Sequence, residues 1–343
     1  MMLSVTARAG TNIALVKYWG KRDAALNLPA AGSLSLTLAD FGSETTVSFT
    51  PQGEGQRRNP VDQVFLAGQP AGEAFASRVR KFLDLVRARA GIDLPAEVRT
   101  ENSVPTAAGL ASSAAGFAAL ALAATRAAGL ELSLTELSAL ARRGSGSAAR
   151  SLFGGLVAMA PGVLADGGDA VAHPLLDEPA WRAWDIRLCV AITASGEKGI
   201  SSTAAMERTA RTSPYYAAWL ASVPADLVAA EAAVEARDLT LLGQVAERSA
   251  LRMHACAMAA EPHIVYWNSG TLAAMATVAR LRSQGVAAYF TIDAGPHVKV
   301  LCHAADAAAV AAALTATDGV MRVLVLAPGP GAHVIRQSPV SRP

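Results

Sequence analysis

Five stretches of the 343-residue sequence carry residue types and spacings that could do chemistry. The first is Asn102-Ser103-Val104-Pro105-Thr106-Ala107-Ala108-Gly109-Leu110-Ala111-Ser112-Ser113-Ala114-Ala115. Pro105 keeps Val104 out of the α region and ends a strand. Gly109 lets the backbone approach a ligand with no side chain in the way. From 110 to 128 the pattern is Ala-rich and helical, so Ser112 and Ser113 fall in the first turn. There, unpaired N–H groups and the positive end of the helix dipole favour an anion. The loop suits a polyphosphate. It is not a Walker A loop, because no Gly-Lys-Ser/Thr follows the glycine. A helix packed tightly through small residues would leave much the same pattern.

The second stretch is Asn12-Ile13-Ala14-Leu15-Val16-Lys17-Tyr18-Trp19-Gly20-Lys21-Arg22-Asp23. A surface loop accounts for Lys21 and Arg22. It accounts less well for Lys17, which directly follows an apolar, strand-like run. In the third stretch, Gly144-Ser145-Gly146-Ser147 alternates glycine with serine, and Arg150 follows. A helix starting at Ser147 would offer amides and two hydroxyls to a phosphate, with Arg150 as a fork for a carboxylate or phosphate. A flexible linker is also Gly/Ser-rich, but linkers rarely carry an arginine beside Leu152 and Phe153. The fourth is Ser201-Ser202-Thr203, three hydroxyls at a helix start where capping explains one. The fifth is Asp293, before Ala294-Gly295-Pro296. A turn aspartate is usually structural, so the residues alone leave its role open. His297 and His303 read as strand or cap residues rather than ligands.

The elements that must position these groups are legible from periodicity. Strands are expected over 4–10 and through the apolar half of 12–23. Residues 33–38 alternate strictly, as a half-buried strand, and 44–50 should pair with them through a turn at 40–42. Residues 52–60 read as an exposed loop. An amphipathic helix is expected over 73–90, with Phe75, Val79, Phe82, Leu83 and Val86 on one face. A strand over 96–100 leads into the first stretch. Ser133 and Glu136 form a capping box for a helix over 133–140. Strands follow at 156–160 and 188–193, then a helix from about 200. Long helices at 217–236 and 240–259 read as a helical subdomain. Another helix is expected at 268–284, a hairpin at 287–301, a helix at 306–314, a strand at 320–326 and an exit loop at 328–331.

Bulk composition excludes some classes. Net charge is +2 and charged residues make up 17%, so no nucleic-acid surface is implied. Mean hydropathy is +0.30, much of it from alanine. The longest uncharged run, 102–125, is long enough to span a bilayer. It carries Pro105, serines, threonines and glycines, and a membrane segment is not expected. No signal peptide is visible. Cys189, Cys256 and Cys302 are too widely spaced for a disulfide framework or a zinc pattern. Buried thiols in a reducing cytoplasm are the expectation.

The order Pro, three residues, Gly-Leu, one residue, Ser-Ser-Ala at 105–114 resembles the phosphate loop of the GHMP small-molecule kinases. Residues 12–23 with Leu26-Asn27-Leu28-Pro29, 109–114, 144–151, Ser201-Ser202-Thr203 with Met206, and 293–296 together resemble the diphosphomevalonate decarboxylases of that superfamily. They come in the family's order and cover nearly the whole chain. The resemblance implies an α+β fold of GHMP kinase type. Its N-terminal half (1–185) would be ribosomal protein S5 domain 2-like and its C-terminal half (186–343) ferredoxin-like, around a deep cleft. It implies ATP with Mg²⁺ and a small-molecule substrate, a phosphorylated mevalonate whose tertiary hydroxyl is phosphorylated before phosphate and carbon dioxide leave. Asp293 would orient that hydroxyl or take its proton, Lys17 would keep Asp293 ionised, and Arg150 would clamp the carboxylate. Tyr18, Lys21, Ser145, Ser147, Arg150 and Ser202 would hold the substrate. Pro105, Gly109, Leu110, Ala111, Ser112 and Ser113 would hold the nucleotide, with Ser112 on the metal. Relatives are commonly homodimers.

Two departures stand out. The family usually has Pro-Thr-Asn-Ser-Ser or a near variant where this chain has Pro29-Ala30-Ala31-Gly32-Ser33, and some relatives have arginine where Thr203 stands. A 5-phosphomevalonate decarboxylase or mevalonate 3-kinase-like enzyme is the nearest alternative. A non-catalytic GHMP-like binding protein should have lost the lysine, arginine and aspartate, and all three are present.

Overall fold

The computed structural model describes residues 3–50, 62–103, 112–196 and 199–340. Its N-terminal half is framed by β1 (Leu3–Val16), the two short strands β2 (Lys21–Asp23) and β3 (Leu28–Pro29), and β4 (Ser33–Phe49). β4 corrects the expected pair of strands turning at 40–42. Both of its halves lie along one partner, β1, from Ser4↔Ser48 to Gly10↔Gly42 and again from Asn12↔Thr37 to Val16↔Leu34. A chain reversal at 40–42 would have paired the halves with each other. Instead the register jumps there and β4 bends away. Leu38 bridges to Pro328, and the Ala39 N–H donates to the Ala327 carbonyl at 3.1 Å.

The remaining N-terminal elements are β5 (Gln63–Leu66), β6 (Gln69–Pro70), α1 (Glu73–Ala90), β7 (Ala96–Asn102), α2 (Ser112–Ala127), α3 (Leu134–Gly144), α4 (Ala148–Ser151), β8 (Leu156–Met159), β9 (Ala172–Pro174) and α5 (Glu178–Ala183). α1 keeps the expected bounds, and the Ser133–Glu136 capping box is formed. Helices α1, α2 and α3 bury Val79, Phe82, Phe117 and Leu137 against Val5, Val47 and Val98 of the sheet.

The C-terminal half comprises β10 (Ile186–Ile192), α6 (Ser202–Thr212), α7 (Tyr216–Glu235), α8 (Leu239–Met258), α9 (Ser269–Ser283), β11 (Ala288–Ile292), β12 (Val298–His303), α10 (Ala307–Thr315) and β13 (Arg322–Leu326). Its sheet is antiparallel, in the order β11-β12-β10-β13. Helices α9 and α10 cover one face through Val278, Leu281 and Val310. A second core joins this sheet and α8 to the first sheet. It holds Leu15, Leu34 and Leu36 together with Val190, Leu242, Val245 and Leu301. Among the described residues one helix, α7, is long and apolar enough to cross a membrane by length and composition. It packs beside α8, whose Arg248 and Arg252 bind its buried Asp226.

The chain does not stop at the expected exit loop. β14 (His333–Pro339) returns to pair antiparallel with β1, so the first sheet runs β14-β1-β4-β7-β5-β6, with β8 on β4 and β9 on β8. The expected loop over 52–60 lies outside the described residues.

At the register jump, a Cβ on Gly42 would sit 2.2 Å from the Ala9 carbonyl oxygen. Gly42→Ala should therefore cost about 1–3 kcal/mol through overpacking. Urea unfolding measures it, and a midpoint equal to the parent's would show that the strands can separate without strain.

Candidate active site

β1 ends at Val16, and the next residue, Lys17, turns into the interior with 2% of its side chain exposed. Its backbone N–H donates to Ser249 Oγ on α8 at 3.0 Å. Its Nζ donates to the Ala14 carbonyl at 2.8 Å and to Asp293 Oδ1 at 2.7 Å. Asp293 is the first residue after β11, in the turn before β12. Its second oxygen, Oδ2, lies 3.2 Å from Lys299 Nζ. The two residues expected to meet over one hydroxyl group are thus in contact, and Asp293 keeps 30% of its side chain exposed.

Electrostatics follow from this geometry. Burial would push the Asp293 carboxyl up, but Lys17 and Lys299 outweigh it and hold the group well below the usual carboxylate range. Burial pulls Lys17 down to about 8, although Asp293 works against the shift. Burial likewise lowers Arg150 to about 10.

Arg150 sits on α4, a helix of only four residues with Ser147 as its N-cap and no side-chain cap bond. Such a stub offers fewer aligned amides than the helix expected at Ser147. The arginine is anchored by side chains instead. Nε donates to Ser35 Oγ at 2.9 Å, Nη1 to Ser33 Oγ at 2.5 Å and Nη2 to Asn12 Oδ1 at 3.2 Å. Asn12 in turn donates to the Ser147 carbonyl and to Ser151 Oγ, and Ser151 Oγ donates to the Gly10 carbonyl. This explains why residues 33–38 are buried on both faces rather than half-buried. Leu34, Leu36 and Leu38 enter the shared core, and Ser33 and Ser35 face the guanidinium. At the departure just before Ser33, Gly32 packs closely under Leu227 of α7.

Beside Arg150, the Tyr18 ring lies 6.0 Å from the guanidinium carbon. Its buried hydroxyl has no hydrogen-bond partner among the described residues, and burial pushes it up to about 12. It is therefore a protonated hydroxyl, able to donate. Gly146 makes room for it, since a Cβ there would stand 2.2 Å from the hydroxyl oxygen. Ser145 Oγ and Ser147 Oγ approach each other at 3.4 Å in the same turn. Arg78, on α1, donates to the Gly144 carbonyl at 3.2 Å. It also faces Lys21, which is lowered first by burial and then by Arg78, with Glu207 of α6 opposing. This cluster of donors and cations suits a phosphate or diphosphate. Ser202 opens α6 half-buried, with Ser201 as the N-cap that accepts the Ala204 N–H.

Pro105, Gly109, Leu110 and Ala111 lie outside the described residues, as does the side chain of Ser112. Ser113 is exposed in the first turn of α2, at the amide-rich end of a 16-residue helix, which fits a nucleotide phosphate. Among the described residues no three His, Cys, Asp or Glu side chains cluster. A Mg²⁺ carried on nucleotide phosphates needs no such cage.

Sequence reasoning missed Lys299, Arg78, Asn12, Ser33 and Ser35 as parts of this site. Lys299 had a usable signal. It interrupts the apolar run Val298-Lys299-Val300-Leu301 in the same way that Lys17 ends Ala14-Leu15-Val16. Arg78 had none, because a basic residue on the polar face of an amphipathic helix is ordinary.

Comparison with known proteins gives the family and the fold. Residues 9–172 match the family described as the diphosphomevalonate decarboxylase-like N-terminal domain. Residues 188–321 match the mevalonate 5-diphosphate decarboxylase C-terminal domain. The diphosphomevalonate decarboxylase of Schizosaccharomyces pombe is 38% identical over 315 residues, covering 86% of this chain and 77% of that one. The crystal structure of mevalonate diphosphate decarboxylase from Staphylococcus aureus superposes with a TM-score of 0.90 at 38% identity, covering 98% of this chain and 99% of that one. Another solved structure, a complex with MVAPP, AMPPCP and magnesium, has a TM-score of 0.89 at 41% identity and covers 98% of this chain and all of the other. The fold is thus the α+β fold of GHMP kinase type. On matches that span both halves, the chain belongs to the diphosphomevalonate decarboxylase family.

Proposed function

We propose that the protein converts (R)-5-diphosphomevalonate, with ATP, into isopentenyl diphosphate, ADP, phosphate and carbon dioxide. The observation that carries this reading is the Lys17–Asp293 pair set beside the buried Arg150 and the phosphate-sized cluster around Tyr18. Bound Mg-nucleotide supplies the phosphoryl group for the tertiary 3-hydroxyl and neutralises charge on it. The chain's own residues do the rest.

Asp293 accepts a hydrogen bond from the 3-hydroxyl on its exposed side. A carboxylate held so far down is a weak base, so its part is chiefly to orient the oxygen for in-line attack; it takes the hydroxyl proton only late, once the new O–P bond has made that proton strongly acidic, and passes it to solvent. Lys17 stands next to the oxygen being phosphorylated and stabilises the charge that gathers there. Arg150, with three nitrogens already anchored, offers the remaining Nη2 N–H and its charge to the substrate carboxylate. When the C3–O bond breaks, phosphate leaves with its electron pair. The bond to the carboxylate then breaks, its pair forms the double bond, and carbon dioxide departs. Tyr18, Lys21, Ser145 and Ser147, with Arg78 behind them, hold the 5-diphosphate. Ser202 adds a hydroxyl from α6.

A homodimer goes with this reading, the exposed outer edge of β14 being the surface it offers. Sedimentation showing only monomer at assay concentration would refute the dimer. The three cysteines are free and buried, which fits the cytoplasm proposed as its location.

Purified protein should release carbon dioxide and ADP with the 5-diphosphate substrate well above the rates with mevalonate or its 5-phosphate. Asp293→Ala should lower kcat by about 10²–10⁴-fold with a modest change in KM. Release from mevalonate or the monophosphate alone would redirect the assignment, and unchanged kcat in the variant would remove Asp293 from the chemistry.

The pH dependence of kcat/KM tests Lys17. Its active form is the ammonium, present below about 8 and lost as pH rises through that value. A basic limb is expected there, and Lys17→Arg should abolish it, because guanidinium stays charged. A basic limb that persists in the arginine variant would belong to another group.

A further inference from the structure

Asp293 is held at both oxygens. Lys17 takes Oδ1 from just past the end of β1, and Lys299 takes Oδ2 from near the start of β12. Lys299 stands between Val298 and Val300 along its strand, and opposite Thr291 and Val190 on the flanking strands. Its side chain is 3% exposed. A cation buried in an inner strand of a small sheet carries a heavy desolvation cost that its partner has to offset, so its presence there calls for a role beyond packing.

We infer that Lys299 is a positioning residue for the phosphoryl-accepting step. It fixes the plane of the Asp293 carboxylate, so that the remaining lone pairs point at the substrate hydroxyl. The inference rests on the function proposed above and names the residue that sets the geometry of its central carboxylate.

A single ammonium on Oδ1 would leave the carboxylate free to rotate about its Cβ–Cγ bond. The second contact, from a different strand, removes that freedom. Lys17 and Lys299 approach from opposite halves of the molecule, so the carboxylate also reports whether the halves are correctly docked. Among the described residues, four charged or titratable groups interact with Asp293: Lys17 from the end of β1, Lys299 from β12, Arg150 from α4 and His254 from α8. His254 Nε2 lies 3.3 Å from the Ile292 carbonyl, and burial pulls the ring down to about 3, so it is neutral over the working range. Lys299 is therefore the cation whose loss most directly frees Oδ2.

The test compares Lys299→Gln, Lys299→Met and Lys299→Arg with the parent and with Asp293→Ala, all assayed with ATP and 5-diphosphomevalonate. In the glutamine and methionine variants kcat should fall by about 10²-fold, the scale expected for a small misplacement of a reacting group, while KM stays within about threefold. The arginine variant, which keeps a cation beside Oδ2, should recover much of the lost kcat, whereas a merely structural loss would not respond to charge.

Parental kcat in a folded glutamine variant would overturn the inference. So would a kcat loss matched by an equal rise in KM with no rescue by arginine, or failure of both neutral variants to fold, since either would make Lys299 a structural residue. Loss of activity in Asp293→Ala alongside a parental Lys299→Gln sinks this inference and leaves the proposed function standing. If the parent itself releases no carbon dioxide, the function fails separately. NMR titration of the Asp293 carboxyl then decides the Lys299 contact, with a higher titration point in Lys299→Gln expected and an unchanged one fatal.

Discussion

The structure depends on one contact between a buried ammonium and a partly exposed carboxylate whose positions in the chain differ by 276. The ammonium, just past the end of the first strand, reaches the carboxylate in the β11–β12 turn. Lys17 would not tolerate such burial without Asp293. Their meeting requires the two halves to share a core rather than touch across a wet interface. Leu15, Leu34 and Leu36 on one side, with Val190, Leu242 and Leu301 on the other, form that core. α8 adds a direct tie, since Ser249 accepts the Lys17 backbone N–H where the strand ends.

A second level of organisation lies beneath Arg150. The guanidinium is buried, and Ser33, Ser35 and Asn12 satisfy three of its nitrogens. A buried polar network that is well satisfied rigidifies its surroundings, whereas one left half-paired is costly. Here it also joins three chain segments, β1, β4 and α4, around one cation. The four-residue α4 contributes little as a helix. It serves as a mount that Asn12 and Ser151 fasten to β1. The phosphate-sized cluster beside it then inherits a fixed wall.

Much of this was legible in the residues. Lys17 after an apolar run, Arg150 after a glycine-serine turn and Asp293 before Gly-Pro were each visible, and α1 and the Ser133 capping box follow directly from periodicity and cap chemistry. The failures have physical causes. The alternation at 33–38 reads as half-buried, because local pattern cannot show that a buried arginine will cover the hydroxyl face. The Asp40-Phe41-Gly42 segment carries turn residues, yet pairing with a single long neighbour overrode them. Lys299 was passed over because a strand lysine is unremarkable until its depth is known. Whether Lys17 and Asp293 meet is a tertiary fact, and the family resemblance, not periodicity, supplied the expectation.

β14 bears on how the molecule is made. A ribosome makes β1 well before residues 333–339, which complete its outer edge. The N-terminal sheet therefore cannot close while the nascent chain is still growing through the C-terminal half. Until then β1 presents a free row of backbone donors and acceptors, the kind of edge that invites pairing with the wrong partner. Vectorial synthesis and final topology are out of step in this chain, and a strand made after the C-terminal half seals β1.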